Sequence, residues 1–173
     1  MEKIKKIEEL SEILKAFRSQ NKKIVHCHGV FDLLHIGHIR YFENARRMGD
    51  VLVVTVTADQ YVNKGLNRPA FTENLRAEAI ASLTCVDYVA INQWPTTEEM
   101  LRLLRPDIYA KGSESKNFVY ATAEEIDKEE QVVREIGATL AFVQDIVFSS
   151  SNLINRHLSN FSTEINQYLE LFR

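Results

Sequence analysis

The run Val51-Leu52-Val53-Val54-Thr55-Val56 restricts the possible folds more than any other stretch of this chain. It is β-branched and apolar at both odd and even positions, so as a strand it buries both of its faces. Such a strand belongs inside a parallel sheet with helices above and below. A second strand signal, Ile24 to Val30, precedes it, and helical spacing fills Ile36 to Met48 between the two, with Gly49-Asp50 turning the chain. Strand, helix and strand in that order make a βαβ unit with a right-handed crossover.

The alternation continues to the end of the chain. Ile4, Ile7, Leu10, Ile13, Leu14 and Phe17 predict an N-terminal helix, closed by Asn21-Lys22-Lys23. Thr72 is placed to cap a helix running from Glu73 to Leu83, ahead of a short strand Tyr88-Val89-Ala90-Ile91. A helix opening at Thr96-Thr97-Glu98-Glu99 stops before Pro106, and the strand Asp107-Ile108-Tyr109-Ala110 follows. A helix from Thr122 to Ile136, a stop at Gly137, a strand from Thr139 to Val143 and a helix from Ser151 complete five strand signals. The expected fold is α/β: an open, doubly wound, five-stranded parallel, Rossmann-like sheet with helices on both faces and further helices at the N- and C-termini. With 173 residues, 45% of them hydrophobic, one core and one domain suffice. That domain is expected over residues 1–160, with the helix of residues 1–20 packed on it and residues 161–173 forming a C-terminal helix or linker.

Open parallel sheets bind ligands beyond the carboxyl ends of their strands, where strand order reverses. The segment leaving the first strand there is His28-Gly29-Val30-Phe31-Asp32-Leu33-Leu34-His35-Ile36-Gly37-His38. Its strand-to-helix turn offers unpaired backbone N–H groups. Gly37 lets a ligand approach the backbone, and His35 and His38 share one helical face. The arrangement suits a polyphosphate. Three further segments are phosphate-competent: Asn63 to Pro69, with Lys64 and a guanidinium beside Gly65; Arg76, in the first turn of a helix; and Ser149-Ser150-Ser151, a hydroxyl cradle or simply a helix cap. Asp32 orients the turn or a metal-bound water, or else only packs or caps.

The His28 to His38 segment resembles the G-x-F-D-x-x-H-x-G-H signature of the cytidylyltransferase-like nucleotidyltransferases, and the resemblance extends over Lys23 to Leu158. It implies catalytic roles for His35, His38, Lys64 and Arg76. It also implies nucleotide binding by Gly29, Val30, Phe31, Asp32, Gly37, Lys111, Gly112, Ser149, Ser150 and Ser151, the serines holding the β- and γ-phosphates. The segment Arg105 to Glu114 resembles the P-D-x-x-x-K-G stretch of heptose-1-phosphate nucleotidyltransferases more than its counterpart in glycerol-3-phosphate cytidylyltransferases. Gln144-Asp145-Ile146-Val147 stands where the latter place Arg-Thr-Glu-Gly. The implied reaction is transfer of CMP or AMP from CTP or ATP to a phosphorylated sugar, with release of pyrophosphate. A glycerol-3-phosphate cytidylyltransferase and a non-catalytic nucleotide sensor are the alternatives.

His35-Ile36-Gly37-His38 also matches the class I aminoacyl-tRNA synthetase signature, but the chain has no room for a tRNA-binding domain and no Lys-Met-Ser-Lys-Ser-like loop. A metal module built on His26, His28, His35 and His38 lacks cysteine or carboxylate ligands at metal-type spacing. Mg²⁺ is the expected cofactor, held mainly by nucleotide and water, with no protein metal site. A net charge of −3 without a basic block argues against nucleic acid as a partner. No stretch reads as a signal peptide or a membrane span, and Cys27 and Cys85 read as buried thiols, so a soluble cytoplasmic protein is expected. A homodimer is expected by resemblance. Similar domains also occur joined to a ribokinase-like sugar kinase, and the tail Phe161 to Arg173 resembles a connection toward such a partner.

Overall fold

The run apolar on both faces forms the strand it predicts. The computed structural model describes residues 2–64, 68–112 and 123–143, and in it β2 (Val51–Thr57) is buried up to its last residue. It pairs with β3 (Tyr88–Asn92) on one side and β1 (Ile24–Gly29) on the other. β1 pairs in turn with β4 (Ile108–Gly112), and β4 with β5 (Thr139–Val143). All pairings are parallel and the order is β3-β2-β1-β4-β5. The chain winds outward from β1 to β3, then returns to the far side of β1. Strand order therefore reverses between β1 and β4, as the doubly wound expectation requires.

Five helices cover the sheet among the described residues: α1 (Ile7–Ser19), α2 (Ile36–Arg46), α3 (Glu73–Ala81), α4 (Glu98–Leu104) and α5 (Ala123–Glu135). Alternation along β2 divides the core. Leu52, Val54 and Val56 meet Tyr41, Phe42 and Ala45 of α2 and Ala77 and Ile80 of α3, together with Val25 and Cys27. Val51 and Val53 meet Leu10 and Leu14 of α1, Met100, Leu101 and Leu104 of α4, and Val132 and Val133 of α5. Burial of Cys27 pushes its thiol up to about 12, whereas Cys85, expected buried, is half-buried; both are free.

Two local details differ from the sequence reading, each for a physical reason. β1 ends at Gly29 rather than Val30, whose carbonyl accepts a bond from Arg76. α3 starts where expected, yet the Thr72 side chain makes no capping bond. The cap comes instead from a 3-10 turn over Asp59–Tyr61: Asp59 Oδ2 accepts the Glu73 N–H at 3.1 Å, and Glu73 Oε2 accepts the Asp59 N–H at 2.7 Å. This is capping-box chemistry assembled across a loop. α4 stops before Pro106 as expected, closing on Arg105 in the left-handed region (φ 45°), because the proline disfavours right-handed helix at the residue before it. No helix among the described residues is long and apolar enough to cross a membrane. The helix expected from Ser151 and the segment 161–173 lie outside the described residues.

Candidate active site

Central strand β1 and helix α2 meet in a turn whose shape depends on aromatic packing. Phe31 sits at φ 47°, a conformation costly for a residue with a Cβ. Its ring centroid lies 5.0 Å from that of Phe42 and 5.2 Å from that of His38, both T-shaped, and it lies so close to Gly29 that a Cβ there would stand 3.0 Å from Cζ. His35 is the N-cap of α2, extended at φ −139°, and its side chain makes no capping bond to the first turn. One turn on, His38 stacks on it, with ring centroids 3.8 Å apart and planes 18° from parallel. Tyr41 ties the helix to the neighbouring strand by donating to the Ala110 carbonyl at 2.6 Å.

Desolvation lowers the pKa of both imidazoles. For His38 the value falls to about 3, with the charges of His35 and Lys64 adding to burial and a hydrogen bond with the Leu33 backbone opposing it. For His35 burial alone is the cause. Both rings are thus neutral near pH 7, and a neutral ring carries one N–H donor and one acceptor nitrogen. Nδ1 of His38 is buried and has no hydrogen-bond partner among the described residues.

The loop before α3 clamps this turn from outside. Asp32 is fully buried and accepts from Arg68 Nε and from the Ala70 N–H at 2.5 Å. Arg76 is 2% exposed. Its Nε donates to the Phe71 carbonyl at 3.0 Å, Nη1 to the Val30 carbonyl, and Nη2 to the Thr57 carbonyl at 2.8 Å and to Asp59 Oδ1 at 2.5 Å. The sequence reading placed Arg76 on phosphate. In the structure all three of its nitrogens are engaged by protein, and it braces the ends of β1 and β2. Asp32, read as an orienting group or as a holder of metal-bound water, orients the turn by anchoring the loop.

A second polar cluster lies on the opposite face of the sheet. Thr55 Oγ1 is 2.8 Å from both His26 Nε2 and His28 Nδ1, and His28 Nε2 is 3.2 Å from Thr57 Oγ1. The shared strand face of His26 and His28 is therefore occupied by threonine hydroxyls, and the described residues include no group of three or more His, Cys, Asp or Glu side chains placed to hold a metal. Lys111, at the carboxyl end of β4, pairs with Glu129 of α5, whose Oε1 also accepts from Thr97 at 2.7 Å. Gly112 beside it has open space where a Cβ would be.

Three of the four phosphate-competent segments therefore bring residues to one turn: the histidines, Lys64 with Arg68, and Arg76. Lys64 is exposed and lies close enough for its charge to act on His38. Gly37 is buried in the first turn of α2. Ser149, Ser150 and Ser151 lie outside the described residues. Sequence reasoning missed the Asp32–Arg68 pair and the role of Glu129. For Glu129 a signal existed: it falls on the same helical stripe as Val132, Val133 and Ile136, facing inward.

Residues 26–156 match the family described as cytidylyltransferase-like. The "Bifunctional protein HldE" of Syntrophotalea carbinolica is 36% identical over 163 residues, which cover 92% of this chain and 32% of that protein. The protein of the same name from Campylobacter jejuni subsp. doylei is 37% identical over 154 residues, 88% of this chain and 31% of that protein. The chain thus spans roughly a third of the length of these curated relatives. Among solved structures, the lipopolysaccharide core biosynthesis protein of Thermoplasma volcanium aligns with a TM-score of 0.58 at 27% identity, over 74% of this chain and 99% of that one. A pantoate-beta-alanine ligase from Francisella tularensis, with a TM-score of 0.63 at 16% identity over 96% and 77% of the two chains, shares the fold.

Proposed function

The chain belongs to the cytidylyltransferase-like family, and on that premise we propose that it is a nucleotidyltransferase moving CMP or AMP from CTP or ATP onto a phosphorylated sugar. The observation that carries the reading is the stacked pair His35 and His38 at the uncapped start of α2, beside the point where strand order reverses. A phosphate oxygen of the acceptor attacks the α-phosphorus, and the bond from that phosphorus to the pyrophosphate oxygen breaks, its electron pair leaving with pyrophosphate. The acceptor is itself the nucleophile, so no covalent enzyme intermediate is needed.

Catalysis then rests on positioning and on stabilising charge. His35 and His38 donate to phosphate oxygens on which negative charge builds, and the anion raises their pKa from the lowered values of the ligand-free site. Lys64 supplies a positive charge. Arg76 acts as a positioning residue, holding the Val30 carbonyl at the base of the turn. The serines at 149–151 belong to the proposal as a phosphate cradle. A divalent cation belongs to it as well. Asp32, the motif's carboxylate, is engaged by Arg68 and Ala70, so this donor set suits an ion carried by the triphosphate, where it would neutralise charge.

The sugar phosphate acceptor is supported by the Lys111-Gly112 segment, by the HldE relatives and by the structural likeness to a lipopolysaccharide core biosynthesis protein. A sugar kinase as a partner, fused or separate, is in keeping with relatives about three times longer whose name is "bifunctional". A homodimer is part of the same proposal.

Pyrophosphate release, measured with CTP or ATP and a panel of sugar and polyol phosphates, tests the reaction. Turnover with a sugar 1-phosphate is expected, and His38→Ala should lower kcat by about 10²–10³-fold, the scale of a lost transition-state donor. Turnover confined to polyol phosphates, nucleotide binding without turnover, or an unimpaired His38→Ala enzyme overturns the proposal.

A further inference from the structure

The loop leading into α3 carries two arginines, and the structure gives them different surroundings. All three guanidinium nitrogens of Arg76 are bonded to protein. Those of Arg68 are not. Its Nε donates to Asp32, its side chain is 8% exposed, and its Nη2 is buried with no hydrogen-bond partner among the described residues. A buried donor without a partner is costly, and more so when it is charged, so native structures keep few of them without a use.

Its surroundings point to an anion. The guanidinium is planar, so fixing Nε on a carboxylate also fixes the direction of the Nη2 edge. The residue that fixes it, Asp32, lies in the same turn as His35 and His38, and the Ala70 N–H anchors the other Asp32 oxygen. Lys64 and Ala70, at either end of this loop, are exposed, whereas the Arg68 side chain is largely buried. His38 Nδ1 is likewise buried and unpartnered, and becomes a donor when the ring is protonated beside an anion, so two groups around this turn lack a partner. Phosphate oxygens accept from both kinds of group, and an arginine fork matches them bidentately.

We infer that Arg68 binds the polyphosphate of the nucleotide, with Asp32 as the positioning residue that turns its Nη2 edge toward the oxygens received by His35, His38 and the first turn of α2. This rests on the nucleotidyltransferase reading and extends it: the arginine on phosphate is Arg68, and Arg76 is its structural counterpart. The expected ligand is a linear polyphosphate, either the triphosphate of the donor or the departing pyrophosphate.

Calorimetric titration with tripolyphosphate, pyrophosphate, MgCTP, MgATP and a sugar 1-phosphate tests it on the intact chain, its Arg68→Lys variant and its Arg76→Lys variant. Lysine keeps a positive charge near Asp32 but loses the fork. Arg68→Lys should weaken tripolyphosphate binding by about 10-fold or more, near 1.4 kcal/mol, with little change in Tm. Arg76→Lys should instead lower Tm. Unchanged tripolyphosphate affinity in Arg68→Lys, or a loss confined to the sugar phosphate, overturns the assignment. Should Arg68→Lys fail to fold, the unsubstituted protein decides through the side-chain ¹H–¹⁵N NMR signals of its arginines. Tripolyphosphate should shift that of Arg68, and an unmoved signal overturns the inference. If the unsubstituted chain binds none of the polyphosphates, the nucleotidyltransferase reading falls with it; if it binds and turns over while Arg68 stays inert, only this inference falls.

Discussion

A guanidinium holds five N–H donors in one plane, and Arg76 points them at groups from three segments: the Val30 carbonyl, the Thr57 carbonyl with Asp59, and the Phe71 carbonyl. Removing the side chain strands all of these at once. Arg76→Ala should therefore destabilise the protein by about 3 kcal/mol, within the range for breaking a buried charged network. Urea unfolding is the measurement, and a midpoint within error of the parent would contradict it. The sequence placed Arg76 at a helix start, where anions are favoured, and phosphate was the natural reading. What decides its role is a pair of carbonyls 46 and 19 residues away in the chain, which no local pattern contains. His35 and His38 were legible because their relation is local, one helical turn apart.

Among the elements, those that carry their reason within themselves were legible. β2 is apolar on both faces, and β5 begins and ends at the residues its pattern marks. Glu129 shows a signal present but outweighed. Its spacing to Val132, Val133 and Ile136 puts it on the inner stripe of α5, yet it belongs to an acidic stretch that reads as solvated surface. The cap of α3 was illegible because Asp59 arrives from another turn. Two glycines give element-scale predictions. A Cβ on Gly49, where α2 gives way to β2, would meet the Lys23 carbonyl oxygen and Val25 Cγ2, both at 2.7 Å. Since one of these atoms is backbone, Gly49→Ala should cost about 1–3 kcal/mol, the range for overpacking. Gly137 sits at φ +76° with open space around it, so Gly137→Ala meets no clash but pays for the left-handed backbone, about 1–2 kcal/mol. Denaturation midpoints of the two variants check both figures. A neutral Gly49→Ala would mean that the Lys23–Val25 segment gives way.

Across the whole molecule, the sheet carries histidines on both faces that folding keeps neutral. Burial lowers His26 to about 3, with the charge of His28 adding to the effect. Burial lowers His28 to about 4; Glu129 and a hydrogen bond involving Thr55 oppose this, and Lys111 reinforces it. His38, on the other face, falls to about 3. In the unfolded chain each returns to about 6.5. Below that pH the unfolded state binds more protons than the folded one, so stability falls on acidification. The contribution is fully present above pH 6.5 and is lost as pH drops toward the folded values of about 4 for His28 and about 3 for His26 and His38, by up to about 1.4 kcal/mol per pH unit for each histidine. The interval from pH 6.5 to 5 lies above the range where ordinary carboxylates titrate, so the histidines dominate the slope there. Tm should therefore decline steadily between pH 6.5 and 5, and His28→Asn should reduce that slope by removing one of these groups. Saturating tripolyphosphate should reduce it by another route, because an anion beside His38 favours its protonated form in the folded state while His26 and His28 keep their own shares. A flat Tm over this interval would show that these rings are not held neutral. A slope that tripolyphosphate leaves unchanged would show that the anion does not reach His38.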